Sequence, residues 1–242
     1  MTWAILAALE EEIRGVADRL RPVTKTRWGK RVIHSGELGE KRVVVMASGI
    51  GKVRAAIAAQ YLIDRHSVDR MILTGFAGAL HPALSIGDIL VCRRAVAHDS
   101  LTPLPGVSRR PGIPWIQSDP GLRRLALRAA HRLGWRNRVG SGTVLTGDRP
   151  VLDGHEKERL YREFRGDCVD MEGAAVALAC SRNRIPLLII RTISDLADER
   201  ALDDFRSSAG RLAADGTQLI LALLAEAGEN ERRFSGPRRA GK

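Results

Sequence analysis

Apolar residues in this chain fall into short blocks separated by amphipathic stretches. Residues 3–9 form an unbroken apolar run that reads as a buried strand, and the next stretch predicts a helix ending near Leu20. Arg31-Val32-Ile33 and Arg42-Val43-Val44-Val45-Met46 predict a hairpin around a turn at 36–39. Ser48-Gly49-Ile50-Gly51-Lys52 leads into an Ala-rich helix over roughly 52–65. Two short strands follow, Met71-Ile72-Leu73 and Asp88-Ile89-Leu90-Val91, the first ending in Thr74-Gly75-Phe76-Ala77-Gly78-Ala79. Residues 100–120 are rich in Pro and Gly, lack periodicity and read as a long loop bordering a binding site. Beyond it the pattern predicts a helix over 121–133, a strand over 138–145, helices over 156–164 and 173–183, and a strand over 187–191. A last helix over 203–226 presents Leu212, Leu219, Ile220 and Leu223 along one side. Strands alternating with helices predict one three-layer α/β domain over 1–228, with a polar, basic, frayed tail at 229–242.

Composition narrows this picture. A chain of 242 residues with 44% hydrophobic content can bury one sizeable core, built mainly from Leu, Ile, Val and Ala because aromatics are scarce. The start of the chain has no basic segment before its apolar run and reads as a first strand, not a secretion signal. No apolar stretch free of charge is long enough to span a bilayer. Cys92, Cys168 and Cys180 are widely spaced and read as buried free thiols, which suits a cytoplasmic protein. Neither they nor the six dispersed histidines show a metal-ligand spacing, so no metal is expected. The net charge of +11 is spread from Arg14 to Arg239 without a nucleic-acid module and reads as a solvated basic face, so no nucleic-acid partner is expected. Association with a membrane surface would suit that charge and has no other support.

Three acidic groups carry the candidate chemistry: Glu10-Glu11-Glu12, Met171-Glu172, and Ser194-Asp195. The first and last follow buried strands, whose carboxyl ends collect ligand-binding groups in open α/β sheets. Singly, Glu12 and Glu172 read equally well as carboxylates in a first helical turn, and Asp195 as a turn cap. Converging, they would repel one another, and burial would raise at least one pKa, keeping an acid protonated beside a base. The glycines at 49, 51, 75 and 78 match neither a dinucleotide fingerprint nor a phosphate loop, and read as tight turns or points of close ligand approach.

Taken in order, Ala8-Leu9-Glu10-Glu11-Glu12, Ser48-Gly49-Ile50-Gly51-Lys52-Val53, Thr74-Gly75-Phe76-Ala77-Gly78, Gly87-Asp88-Ile89, Val169-Asp170-Met171-Glu172-Gly173 and Arg191-Thr192-Ile193-Ser194-Asp195 form a pattern. Over Ala4 to about Leu224 the chain resembles the methylthioadenosine/S-adenosylhomocysteine nucleosidases of the purine nucleoside phosphorylase-like superfamily. The resemblance implies a three-layer sandwich around a central mixed sheet, cleavage of a purine nucleoside without cofactor or metal, and a homodimer in which a neighbour's loop, with 100–120 as the candidate, closes the pocket. It makes Glu12 the group that activates water, Glu172 the holder of the ribose hydroxyls, and Met171 a packing surface for the sugar. Asp195, oriented by Ser194, would protonate or hydrogen-bond the purine N7, and Arg191 would help to position the water and the acidic network. Phe76, Ala77, Gly78, Ile50 and Val151 complete the expected substrate-binding set.

Such a cleavage builds positive charge on the sugar and negative charge on the base, which carboxylates and an acid respectively answer. An Asp of ordinary pKa about 3.9 needs an upward shift of roughly three units, about 4 kcal/mol, to be half protonated at neutrality. Phosphorylase relatives place an arginine before the central glycine, where this chain has Leu73-Thr74-Gly75, so hydrolysis of a 5'-substituted adenosine is expected over phosphorolysis. Phe76 stands where the nucleosidases have a small hydroxyl residue, and their purine-stacking aromatic is absent from Gly147-Asp148-Arg149-Pro150-Val151-Leu152. Phosphate-dependent cleavage and noncatalytic nucleoside binding remain the alternatives.

Overall fold

Strand β1 (Thr2–Ala7) is buried along its whole length. Its side chains alternate between two cores, with Trp3, Ile5 and Ala7 in one and Ala4 and Leu6 in the other. This two-faced burial is what a continuous apolar run predicts for a central strand covered on both sides. The computed structural model describes residues 1–100 and 115–234, with side chains to 228.

After β1 come α1 (Glu10–Ala17), β2 (Thr24–Trp28), β3 (Arg31–Leu38), β4 (Lys41–Ala47), α2 (Lys52–His66), β5 (Arg70–Leu73), β6 (Phe76–Ala79) and β7 (Ile89–Ala97). The chain continues through β8 (Ile116–Gln117), α3 (Pro120–Arg132), β9 (Val139–Thr146), α4 (Gly154–Phe164), β10 (Cys168–Asp170), α5 (Gly173–Arg182), β11 (Leu187–Asp195) and α6 (Ala201–Phe234). Among the described residues the strands form one mixed sheet in the order β2-β3-β4-β1-β5-β11-β6-β10-β9-β7-β8. An added β11–β7 pairing curls its second half back on itself. Helices α2 and α5 pack on one core, and α1, α3 and α6 on the other, giving the expected three layers around a mixed sheet.

The differences from the sequence expectation have local causes. β2 is polar and mostly exposed, so no apolar alternation announces it. β6 and β10 are only four and three residues long, too short for a period to register. Of the expected loop at 100–120, residues 101–114 lie outside the described residues, but β8 pairs with β7 and α3 begins at Pro120, so its end is regular structure. β11 runs past 191 to Asp195, and α6 extends to Phe234. Residues 235–242 of the expected tail lie outside the described residues. No helix among the described residues is long and apolar enough to cross a membrane.

Candidate active site

A cavity of about 180 Å³ is lined by residues that follow β1 and β9, end β10 and β11, and begin α6. Glu12, Glu172 and Asp195 all line it, so the three separate acidic groups of the sequence do converge. Ser194, Met171, Phe76, Ala77, Gly78, Ile50 and Val151 line it too. Arg191 does not. It lies fully buried behind the carboxylates.

Glu12 sits in the first turn of α1, but unlike Glu10 and Glu11 it faces inward and is 4% exposed. Its Oε2 accepts the Leu9 N–H at 2.7 Å, the backward reach of a capping-box carboxylate. Its Oε1 accepts the Phe76 N–H at 2.9 Å, tying α1 to the β5–β6 turn. Burial pushes the carboxyl up to about 7, against the opposing pull of the Leu9 N–H, Arg191 and the Phe76 N–H. A base poised near neutrality results. Gly75 makes room for this arrangement at φ +149°: a Cβ there would lie 2.6 Å from Arg191 Nη1 and 2.7 Å from Glu12 Oε1. Both side chains are committed to buried contacts, so neither can step aside.

Glu172 is the N-cap residue of α5 and is 4% exposed. Its Oε1 accepts the Gly51 N–H at 2.9 Å, and its Oε2 lies 3.7 Å from Arg191 Nη2. Asp170, two residues earlier, takes Arg191 Nε at 2.7 Å and Nη2 at 2.6 Å on its Oδ2. It also accepts the Thr146 hydroxyl at 2.6 Å and the Gly173 N–H at 3.0 Å. Burial pushes the Glu172 carboxyl up, and the Arg191 guanidinium offsets part of that rise. Burial alone would lower Arg191; Asp170, Glu172 and Glu12 hold it charged instead, above its ordinary value. Arg191 thus answers Asp170 and Glu172 from behind the cavity.

Asp195 ends β11 at a register shift against β6, where Ile193 pairs with Ala77 and Asp195 with Gly78. Such a bulge re-aims one side chain out of the strand's alternation. Its Oδ2 lies 2.8 Å from Ser194 Oγ, and its Oδ1 accepts the Ala197 N–H at 2.9 Å. Gly78 permits the approach, since a Cβ there would lie 2.8 Å from Asp195 Oδ1. Burial again raises the pKa of Asp195, against the Ser194 and Ala197 hydrogen bonds. Three carboxyls with raised pKa values therefore line one cavity in different polar surroundings, a usable division into acid and base.

The Phe76 side chain lines the cavity and meets Phe205 edge-on, with ring centroids 5.4 Å apart. Its contribution to Glu12 comes from the backbone N–H, which any residue but proline could supply. Sequence reasoning assigned no role to Asp170, Arg149, Leu202 or Phe205, all of which line the cavity. A signal existed for Phe205, which lies seven residues before Leu212 and in phase with the apolar side of the last helix.

The model of the phosphorylase superfamily matches residues 2–225. The chain is 34% identical to the 5'-methylthioadenosine/S-adenosylhomocysteine nucleosidase of Mycobacterium bovis, over 93% of this chain and 97% of the relative. It is also 34% identical to the aminodeoxyfutalosine nucleosidase of Campylobacter jejuni, over 85% and 90%. Among solved structures, the 5'-methylthioadenosine/S-adenosylhomocysteine nucleosidase of Neisseria meningitidis in complex with methylthio-immucillin-A matches with a TM-score of 0.86 at 31% identity, over 92% of this chain and 98% of that one.

Proposed function

Because the chain belongs to the 5'-methylthioadenosine/S-adenosylhomocysteine nucleosidase family within the phosphorylase superfamily, we propose that its cavity hydrolyses the N-glycosidic bond of a 5'-substituted adenosine. The observation that carries this reading is the presence of Glu12, Glu172 and Asp195 in one cavity, each with a raised pKa. A water oxygen adds to the anomeric carbon as its bond to the purine nitrogen breaks, and that bond's electron pair leaves with the base. Glu12 takes a proton from the water; Asp195 gives one to the purine N7, so the base departs neutral. Glu172 accepts from the ribose hydroxyls, with Met171 against the sugar. Ser194 orients Asp195, and Arg191 holds the acidic network in place. Phe76, Ala77, Gly78, Ile50 and Val151 form the walls of the base and sugar pocket. No protein-bound cofactor enters this scheme.

The cysteines at 92, 168 and 180 are buried free thiols, which supports a reducing, cytoplasmic setting. Ile50, Val53 and Ile57 are 45%, 71% and 52% exposed at helical spacing beside the cavity, and support a homodimer that covers this apolar stripe. Sedimentation of the protein as a monomer at micromolar concentration would remove that reading.

The activity is tested by following adenine release from methylthioadenosine and S-adenosylhomocysteine, with and without phosphate, for the wild type and Asp195→Asn. Phosphate-independent release that falls by roughly 10²–10⁴-fold in the variant is expected of a lost general acid. Release that requires phosphate would make the protein a phosphorylase, and binding without release would make it a nucleoside-binding protein.

A further inference from the structure

A second cavity, of about 310 Å³, lies at the opposite ends of the strands from the three carboxyls. Arg70 begins β5 and Pro186 directly precedes β11, two strands that run parallel, and both residues line it. It therefore sits where these strands start, whereas Asp195 stands where β11 ends. Arg70, Arg124 and Arg128 all face into it. Asp119 is the one acidic residue among the described residues that line it. That carboxylate is committed to the first turn of α3, where its Oδ1 accepts the Leu122 N–H at 2.8 Å. The helix end is already answered, and what the cavity offers a ligand is guanidinium.

Arg124, Arg128 and Arg132 follow one another at four-residue spacing along α3 and so share a face. Like charges at that spacing destabilise a helix unless something answers them. Glu226 of α6, which is buried, answers two: it lies 3.0 Å from Arg128 Nε and 3.0 Å from Arg132 Nε. Arg124 is exposed, and no hydrogen bond or ion pair engages it among the described residues. Arg70 approaches from the sheet side, its guanidinium carbon 5.2 Å from the centroid of the buried Trp3 ring, a contact that holds the side chain in place. Leu122 and Leu125 set apolar surface beside these charges. Guanidiniums take phosphoryl oxygens by paired hydrogen bonds, and neighbouring ones suit an anion with more than one phosphoryl group. A concavity of this size fits a small molecule, whereas a nucleic acid needs a groove that tracks its backbone.

We propose that this cavity is a second ligand site, which takes a small anion carrying two or more linked phosphoryl groups between Arg124, Arg128 and Arg70. The probe is inorganic pyrophosphate, compared with orthophosphate by isothermal titration calorimetry at low salt. The proteins are the wild type, Arg124→Gln, Arg124→Lys and Arg149→Gln, the last altering the cationic residue that lines the other cavity. The wild type should bind pyrophosphate several-fold more tightly than orthophosphate, and both affinities should fall as salt rises. Arg124→Gln should weaken pyrophosphate roughly three- to tenfold and narrow its advantage over orthophosphate. Arg124→Lys should fall between, because an ammonium keeps the charge without the planar fork. Arg149→Gln should match the wild type. No heat of binding at millimolar pyrophosphate, equal affinity for the two anions, or equal pyrophosphate affinity in wild type and Arg124→Gln would each overturn the proposal. Loss of binding in Arg149→Gln would place the anion in the other cavity and overturn it as well. Because the readout is binding, the result stands whether or not the protein releases adenine from a nucleoside.

Discussion

Two charged clusters serve the same cavity in opposite ways. Arg191, behind the cavity, with Asp170 and Glu172, which line it, forms the first, with side chains 1–5% exposed and contacts down to 2.6 Å. Lys52 with Asp99 and Asp148 clasps its outer edge, with side chains 18%, 30% and 61% exposed. In the first, water cannot substitute for a missing partner, so each group's charge depends on the others. In the second, solvent screens every pair and can replace any of them. The cavity carboxyls Glu12 and Glu172 sit in or against the buried cluster, where fixed donors tune them, while the loop at 148–152 hangs on the exposed one. The inner carboxyls and the outer loop are thereby held by separate sets of contacts.

The largest effect is expected where the buried cluster meets the reaction. Glu12→Gln keeps the shape but removes the base, and kcat should fall by roughly 10²–10⁴-fold. In the wild type, kcat/KM should rise with pH up to about 7 as Glu12 ionises, and the residual activity of the variant should lack that limb. The same group weakens the fold in that window. Its folded pKa lies above the ordinary 4.5, so its favourable contribution is full below pH 4.5 and is lost as pH rises through about 7. A pH–rate profile in which wild type and Glu12→Gln share the same acidic limb would assign that limb to another group.

Arg191→Met is next. It leaves Asp170 and Glu172 buried without their countercharge, a loss of about 3–5 kcal/mol for a broken buried cluster. The urea midpoint should fall accordingly, with Arg191→Lys intermediate because a lysine cannot reproduce the Nε and Nη2 contacts to one Asp170 oxygen. A loss under about 1 kcal/mol would make the buried cluster equivalent to a surface pair and erase the contrast.

How far the sequence exposes this arrangement follows the same divide. Long apolar runs such as those of β1, β4 and β11 declare both the sheet and its double cover, since only a two-sided core accommodates unbroken apolar strands. The acidic groups at 12, 172 and 195 were legible from their motifs and order. Asp170 was not: as a letter two places from Glu172 it is indistinguishable from a solvent-facing carboxylate, and only the Arg191 contact shows its part. Local pattern likewise gives no reason to separate Glu12 from Glu10 and Glu11, which differ only in helical phase. Arg149 and Leu202 join the site through tertiary placement of a loop and a helix start, which no period encodes.

The smallest effect, and the sharpest test of the outer cluster, is Lys52→Met. Methionine keeps the apolar stem and removes the charge. Burial of Lys52 is offset by its hydrogen bonds to Asp99 and Asp148, which raise its pKa, and Lys52 in turn holds Asp99 below the usual carboxylate range despite that residue's own partial burial. With groups this exposed, the stability lost should be no more than about 1 kcal/mol. Because the Asp99 pKa is depressed in the fold, the loss should be present at neutral pH and vanish as pH falls through the carboxylate range. The functional effect should exceed the thermodynamic one, since Asp148 anchors the loop whose residues 149–152 line the cavity. KM should rise several-fold while kcat stays within roughly twofold, the signature of lost binding without lost transition-state contacts. A fall in kcat equal to the fall in kcat/KM would instead couple the clasp to Glu172 through Gly51, whose N–H holds that carboxylate and whose neighbour is Lys52. The buried and exposed clusters would then act as one unit.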